Sequence, residues 1–174
     1  MASVRQKLEH GFGPFYRPDS KVLILGSFPS VKSREAAFYY GHPQNRFWAV
    51  LAALCGEELP HSRAEKERLL EAHGVALYDV IESCTIVGSS DSSIEDVQVT
   101  DLLPILQDAQ IEGRIYTNGA KAHQLYMKYS YPKLGLPAVK LPSTSPANAA
   151  FSLDRLVRDW GALLPPIREK GDAK

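Results

Sequence analysis

Residues 21–25 read KVLIL and stop at Gly26. A short apolar run with no polar alternation fits a β-strand covered on both faces, the condition of strands in a parallel sheet. Further apolar runs at 75–81, 114–117 and 138–141 repeat the theme. Between them lie segments with helical spacing. Residues 63–73 are closed by Gly74, and 47–55, 100–107 and 121 to about 129 are further helices. A last helix starts at Ser152, a favoured capping residue ahead of Leu153 and Leu156, and runs to about Leu163. Strands alternating with helices argue for an α/β fold layered around a mostly parallel sheet. Ligands of such sheets bind beyond the carboxyl ends of the strands. Four segments fall there: 26–33, 79–93, 118–121 and 142–148, all rich in small or hydrogen-bonding residues. There is no internal repeat and no sign of a second domain. One domain over 1–164 is expected, with a frayed tail, PPIREKGDAK, over 165–174.

The chain of 174 residues is 44% hydrophobic and 23% charged, the balance of an ordinary globular domain. No apolar run approaches the roughly 20 residues of a membrane-spanning helix. The N-terminal MASVRQKLEHGFGPF lacks the apolar core of a secretory signal, so a cytoplasmic or nuclear location is expected. Cys55 and Cys84 form no CxxC pair, and no metal site is expected. The formal net charge of zero gives no global sign of nucleic-acid binding, although cations gathered on one face would suffice for weak, salt-sensitive contacts.

The loop after the first strand, GSFPSVKS, comes within one residue of the phosphate-binding pattern GxxxxGK[ST]. Val31 stands where the second glycine belongs, and Pro29 removes an N–H from the cradle. A nucleotide-binding loop is therefore poorly supported.

Taken whole, Gly26–Trp48 (GSFPSVKSREAAFYYGHPQNRFW) resembles the first motif of the mismatch-specific uracil and thymine-DNA glycosylases, GINPG followed by an HPxNRFW block. It is similar almost letter for letter to the deoxyinosine (hypoxanthine) DNA glycosylase branch of the uracil-DNA glycosylase superfamily. The likeness extends from about Lys21 to Trp160, through LYDVIESCTIVGSSDSSI, YTNGAKAHQLY and LPSTSPANAAF. It implies a three-layer α/β/α sandwich around a central, mostly parallel four-stranded sheet. It also implies a monomeric, monofunctional enzyme that flips deoxyinosine out of DNA and hydrolyses its N-glycosidic bond, with no metal or organic cofactor. Two other readings stay open: a uracil or thymine mismatch glycosylase, and a catalytically silent DNA-damage-binding domain.

The resemblance assigns roles residue by residue. Tyr40 would stack on the flipped base. Phe28 stands where uracil-acting relatives carry a catalytic Asn or Asp; it can orient no water and becomes a pocket wall. Catalysis then moves to Asn45, whose carboxamide can both donate and accept, with Asn118 as a second catalyst. Asn45 could instead cap the helix that follows, and Asn118 could instead mark an Asn-Gly turn. Asp79 replaces a base-reading asparagine and could accept from N1–H of hypoxanthine, or else fix a loop. His42 would contact base or phosphate, or order its own loop. Ser143, Thr144 and Ser145 would touch the DNA backbone. Lys121, with Lys128, Lys133 and Lys140, would supply positive charge. Glu82 and the SSDSS run read as loop scaffolding. Lys32 is the lysine whose placement bears on a Schiff-base route.

Overall fold

A computed structural model describes residues 5–87 and 93–164. The expected parallel sheet is present. It consists of β2 (Val22–Gly26), β3 (Val75–Asp79), β6 (Ile115–Asn118) and β7 (Val139–Leu141), in the order β3-β2-β6-β7 with every neighbour parallel. The burial of β2 explains its uniform composition. Val22 and Ile24 face one core, with α2 (Phe47–Cys55), α3 (Arg63–His73) and α7 (Leu153–Leu163) packed over them. Leu23 and Leu25 face the other, beneath α4 (Leu103–Asp108) and α5 (Ala120–Leu125). A strand between two apolar layers has no solvent face to alternate toward.

The helices α2, α3 and α7 begin and end where local chemistry says they should. Ser62 and Glu65 cap α3 reciprocally and Ser152 caps α7. The helix α4 begins later than expected, at Leu103; ahead of it the Thr100 hydroxyl donates to the Asp79 carbonyl at 2.8 Å and the Asp101 carboxylate accepts from the Leu103 N–H. The helix expected to reach Tyr129 keeps regular pitch only through Leu125. It then widens to a wider-pitched turn over Tyr126–Ser130 before α6 (Tyr131–Leu134), where Pro132 lacks the N–H that would continue the ladder. A short α1 (Val31–Ala36), capped by Ser30, occupies the first loop.

A second sheet was not legible in the sequence. The apolar segment 75–81 divides at Val80, and β4 (Ile81–Val87) leaves the parallel sheet. It pairs antiparallel with β1 (Arg5–Glu9) and β5 (Glu95–Val99). Glu82 therefore lies on a strand, with its side chain exposed, and is no loop scaffold. Of the SSDSS run only Ser93 is described; the others, like the tail over 165–174, lie outside the described residues. No helix among the described residues is long and apolar enough to cross a membrane.

Register sets the site. Gly26 pairs with Asp79, Leu25 with Thr117, and Asn118 with Leu141. The carboxyl ends of all four parallel strands thus finish at one level.

Candidate active site

At that level lies a cavity of about 240 Å³. This is smaller than a pocket for a drug-sized ligand and of a size suited to a single nucleobase. Of the residues expected from the sequence, Phe28, Tyr40, His42, Asp79, Asn45, Asn118 and the turn Ser143–Ser145 all line it. Lys32 does not. Its ammonium lies on the outer side of α1, 58% exposed and 3.8 Å from Glu35.

Asp79 is held by a residue that sequence reasoning missed. His10 Nε2 lies 2.7 Å from Asp79 Oδ2, with both side chains buried. A carboxylate can only accept, so the proton of this bond sits on Nε2. His10 Nδ1 is buried without a partner among the described residues. The ring packs against Phe12 and Tyr78 at centroid distances of 4.4 and 5.1 Å. It arrives because β1 pairs with β4 and the His10 N–H donates to the Glu82 carbonyl. The other carboxylate oxygen, Oδ1, lies over Gly26, where an added Cβ would sit 2.4 Å from it. Gly26 is thus the residue that lets the acidic group lie flat against the strand end.

The three adjacent aromatics divide their work. Phe38 stacks on Trp48, and the Tyr39 hydroxyl donates to the Gly13 carbonyl, so both belong mainly to the core. Tyr40 takes a left-handed backbone conformation (φ 53°) and stacks on Phe47 at 4.1 Å. Phe47 covers one face of the ring, and the residue still lines the cavity. Its hydroxyl is buried and has no partner of good hydrogen-bond geometry among the described residues. Burial first, and then the Asp79 charge, push the phenol well above its ordinary value; nearby Asn118 offsets a part of the rise. Tyr40 therefore remains a neutral donor.

Phe28 meets the cavity as a wall, edge-on to His10 at 6.3 Å and under the Arg34 guanidinium at 5.8 Å. His42 orders its own loop, since Nδ1 accepts from the Gln44 N–H at 3.1 Å.

The two asparagines are joined through Thr144. Asn45, the residue ahead of the N-cap Arg46, accepts at Oδ1 from the Phe47 N–H, the first N–H of α2, at 2.9 Å, and also from the Thr144 hydroxyl at 2.8 Å. Asn118 Oδ1 accepts from the Thr144 N–H, and its Nδ2 donates to the Thr144 hydroxyl, both at 3.0 Å. Thr144 is fully buried. The expectation that it touches DNA is corrected: its hydroxyl and N–H are both engaged inside the protein. Ser143 and Ser145 stay partly exposed, although each hydroxyl accepts from a backbone N–H of the turn, at Ser145 and Ala147. Gly119, at φ 100°, allows Ser143 to approach so closely that an added Cβ would lie 3.0 Å from its Cβ.

Arg46, also unforeseen, clamps this turn. Its guanidinium donates to the carbonyls of Ser145 (3.1 Å), Asn148 (3.0 Å) and Phe151, and its N–H to the Thr144 carbonyl. A wider cleft of about 760 Å³ opens beside the cavity and shares Asn118, Ser143 and Ser145 with it. Lys121 and Lys140 border this cleft; Lys128 and Lys133 border neither space.

Comparison with known proteins agrees with this architecture. The sequence profile of the uracil DNA glycosylase superfamily matches residues 14–163. A protein of Methanosarcina acetivorans named hypoxanthine DNA glycosylase is 32% identical over 157 residues, covering 90% of this chain and 98% of that one. Its namesake in Methanosarcina barkeri is 33% identical over 101 residues, covering 58% and 63% of the two chains. A solution NMR structure from M. acetivorans, described as a candidate uracil DNA glycosylase, superposes with a TM-score of 0.74 at 30% identity, covering 91% of this chain and 96% of that one.

Proposed function

The chain belongs to the uracil DNA glycosylase superfamily, and on that footing we propose that it is a monofunctional DNA glycosylase that removes hypoxanthine from deoxyinosine. The observation that carries the choice of base is Asp79, a buried acceptor at a nucleobase-sized cavity. Hypoxanthine offers N1–H as a donor, which an ionised carboxylate accepts. The name borne by the two archaeal relatives points the same way.

Hydrolysis balances with water alone. The C1′–N9 bond breaks with its electron pair moving into the purine, and water oxygen adds to C1′. That water loses one proton and the base gains one. An enzyme that speeds this step must unstack the nucleotide, hold the base, and stabilise negative charge on it. Tyr40 and Phe28 offer the base apolar surface that replaces part of the lost stacking, worth roughly 1–3 kcal/mol per base. Asp79 reads N1–H, and Asn45 meets the charge that builds on the purine. Asn118 supports Asn45 from the neighbouring strand. Ser143, Ser145 and Lys121 follow the DNA backbone along the wider cleft, and His42 stands at the rim of the cavity. The placement of Lys32 away from the cavity supports hydrolysis over Schiff-base chemistry. On this reading the protein acts as a monomer, one cavity to one flipped nucleotide, in the compartment that holds the DNA.

A panel of duplexes containing deoxyinosine, G:U, G:T or xanthine, each treated with enzyme and then alkali, tests the base. Deoxyinosine is expected to be cut fastest. Activity on G:U equal to or above that on deoxyinosine overturns the hypoxanthine reading, and tight binding with no abasic product overturns the enzymatic one. Borohydride trapping of a covalent adduct would contradict monofunctional chemistry.

A further inference from the structure

Hydrogen-bond directions around Thr144 can be assigned without ambiguity, because two backbone N–H groups fix them. The Phe47 N–H can only donate, so the atom of Asn45 facing it is Oδ1. The Thr144 N–H fixes Asn118 Oδ1 in the same way. The Asn45 oxygen can only accept, so the Thr144 hydroxyl gives its one proton to it and must receive from Asn118 Nδ2. The chain therefore runs in one direction, from Asn118 Nδ2 through Thr144 Oγ1 to Asn45 Oδ1. Both lone pairs of the Asn45 oxygen are occupied, by Phe47 N–H and by Thr144. Its Nδ2 makes no hydrogen bond among the described residues, and Asn45 lines the cavity.

We propose that Thr144 is a positioning residue that makes Asn45 a pure hydrogen-bond donor to the departing purine, so that Asn45 does not accept a proton from water. The inference rests on the glycosylase reading above and specifies how its site works. An amide N–H facing N3, N7 or O6 of hypoxanthine gains strength as the electron pair of the broken bond spreads over the ring, so the contact is tighter in the transition state than before it. Thr144 contributes by direction. With its hydroxyl present, the carboxamide cannot turn its oxygen toward the base without losing two bonds and facing one N–H with another.

Single-turnover excision and DNA affinity, measured for the full chain and four variants on a deoxyinosine duplex, separate the possibilities. Asn45→Asp keeps both acceptor bonds and replaces the donor by an anionic oxygen. It is expected to lose roughly 100- to 1,000-fold in rate, as Asn45→Ala does. Thr144→Val is expected to lose roughly 10- to 100-fold in rate, with DNA affinity within about threefold of the parent. Thr144→Ser, which restores the hydroxyl, is expected to recover most of that loss. A thermal melt of each variant identifies any that fails to fold, and the serine variant keeps the test decisive if valine does not. An active Asn45→Asp enzyme, or a Thr144→Val enzyme at the parental rate, overturns the proposal and leaves the hypoxanthine reading standing. A parent that excises no base overturns both.

Discussion

Replacing His10 with alanine would leave Asp79 Oδ2 buried without its 2.7 Å partner. A buried carboxylate oxygen left without its donor keeps its desolvation penalty, a cost of about 1–3 kcal/mol or more. His10→Ala is therefore expected to melt earlier and to excise hypoxanthine far more slowly. His10→Gln, whose amide nitrogen can reach the place of Nε2, should recover part of both. Thermal melts beside excision rates check this, and an alanine variant with parental rate and stability would sink the role given to His10. At this scale the sequence was informative about residue type more than about partners. Asn45, Asn118, Tyr40, His42, Asp79 and Phe28 all reach one cavity, as the resemblance implied. His10 was invisible because it lies 69 positions from Asp79 and follows a polar strand. Thr144 was mistaken for a phosphate contact because a Ser/Thr/Pro stretch reads as an exposed loop. Its one distinguishing mark, a β-branched methyl between two serines, does not say which way the side chain turns.

Among the elements, the turn over 143–151 depends on Arg46, which reaches three carbonyls from the start of α2. A planar guanidinium can bridge three acceptors at once; a lysine ammonium is a point charge with a different reach. If the turn lies along the DNA as proposed, Arg46→Lys is expected to weaken binding to a deoxyinosine duplex about tenfold while α2 stays folded, because the turn loses its clamp. Titration by fluorescence anisotropy, with circular dichroism as the control, measures it; unchanged affinity would show that the turn holds itself. The helices were the most legible elements. The bounds of α2, α3 and α7 follow from caps and apolar spacing that lie within the segments themselves. The strands β1 and β5 were not legible, for a physical reason. Both are edge strands of a small antiparallel sheet, and their sequences, RQKLE and EDVQV, carry the charges that discourage edge-to-edge pairing in place of an apolar period.

For the whole molecule, several buried phenols tie stability to alkaline pH. Burial is the leading cause that raises Tyr39, Tyr40 and Tyr126 above the ordinary value of 10.0, with Tyr126 pushed up to about 12. Above about pH 10 the unfolded chain releases phenolic protons that the folded chain still holds, so the unfolded state binds fewer protons and stability falls as pH rises. Below that pH these groups are protonated in both states and contribute no slope. Urea midpoints from pH 8 to 11.5 should be flat with respect to these groups at first and then decline; a rise above pH 10 would contradict their burial. The layered parallel sheet was readable from alternating strands and helices, and the family from the Gly26–Trp48 block. In the small second sheet β4 pairs with its near neighbour β5, but also with β1 across more than 70 residues, and it is this distant pairing, which no local pattern records, that brings His10 to Asp79. The central claim, that this cavity releases hypoxanthine from DNA, is tested most directly by incubating the full chain with a deoxyinosine duplex and quantifying free base by mass spectrometry. One hypoxanthine is expected to be released for each abasic site formed. Deoxyinosine that stays intact with the enzyme in excess, or free uracil released faster from a matched G:U duplex, would contradict it.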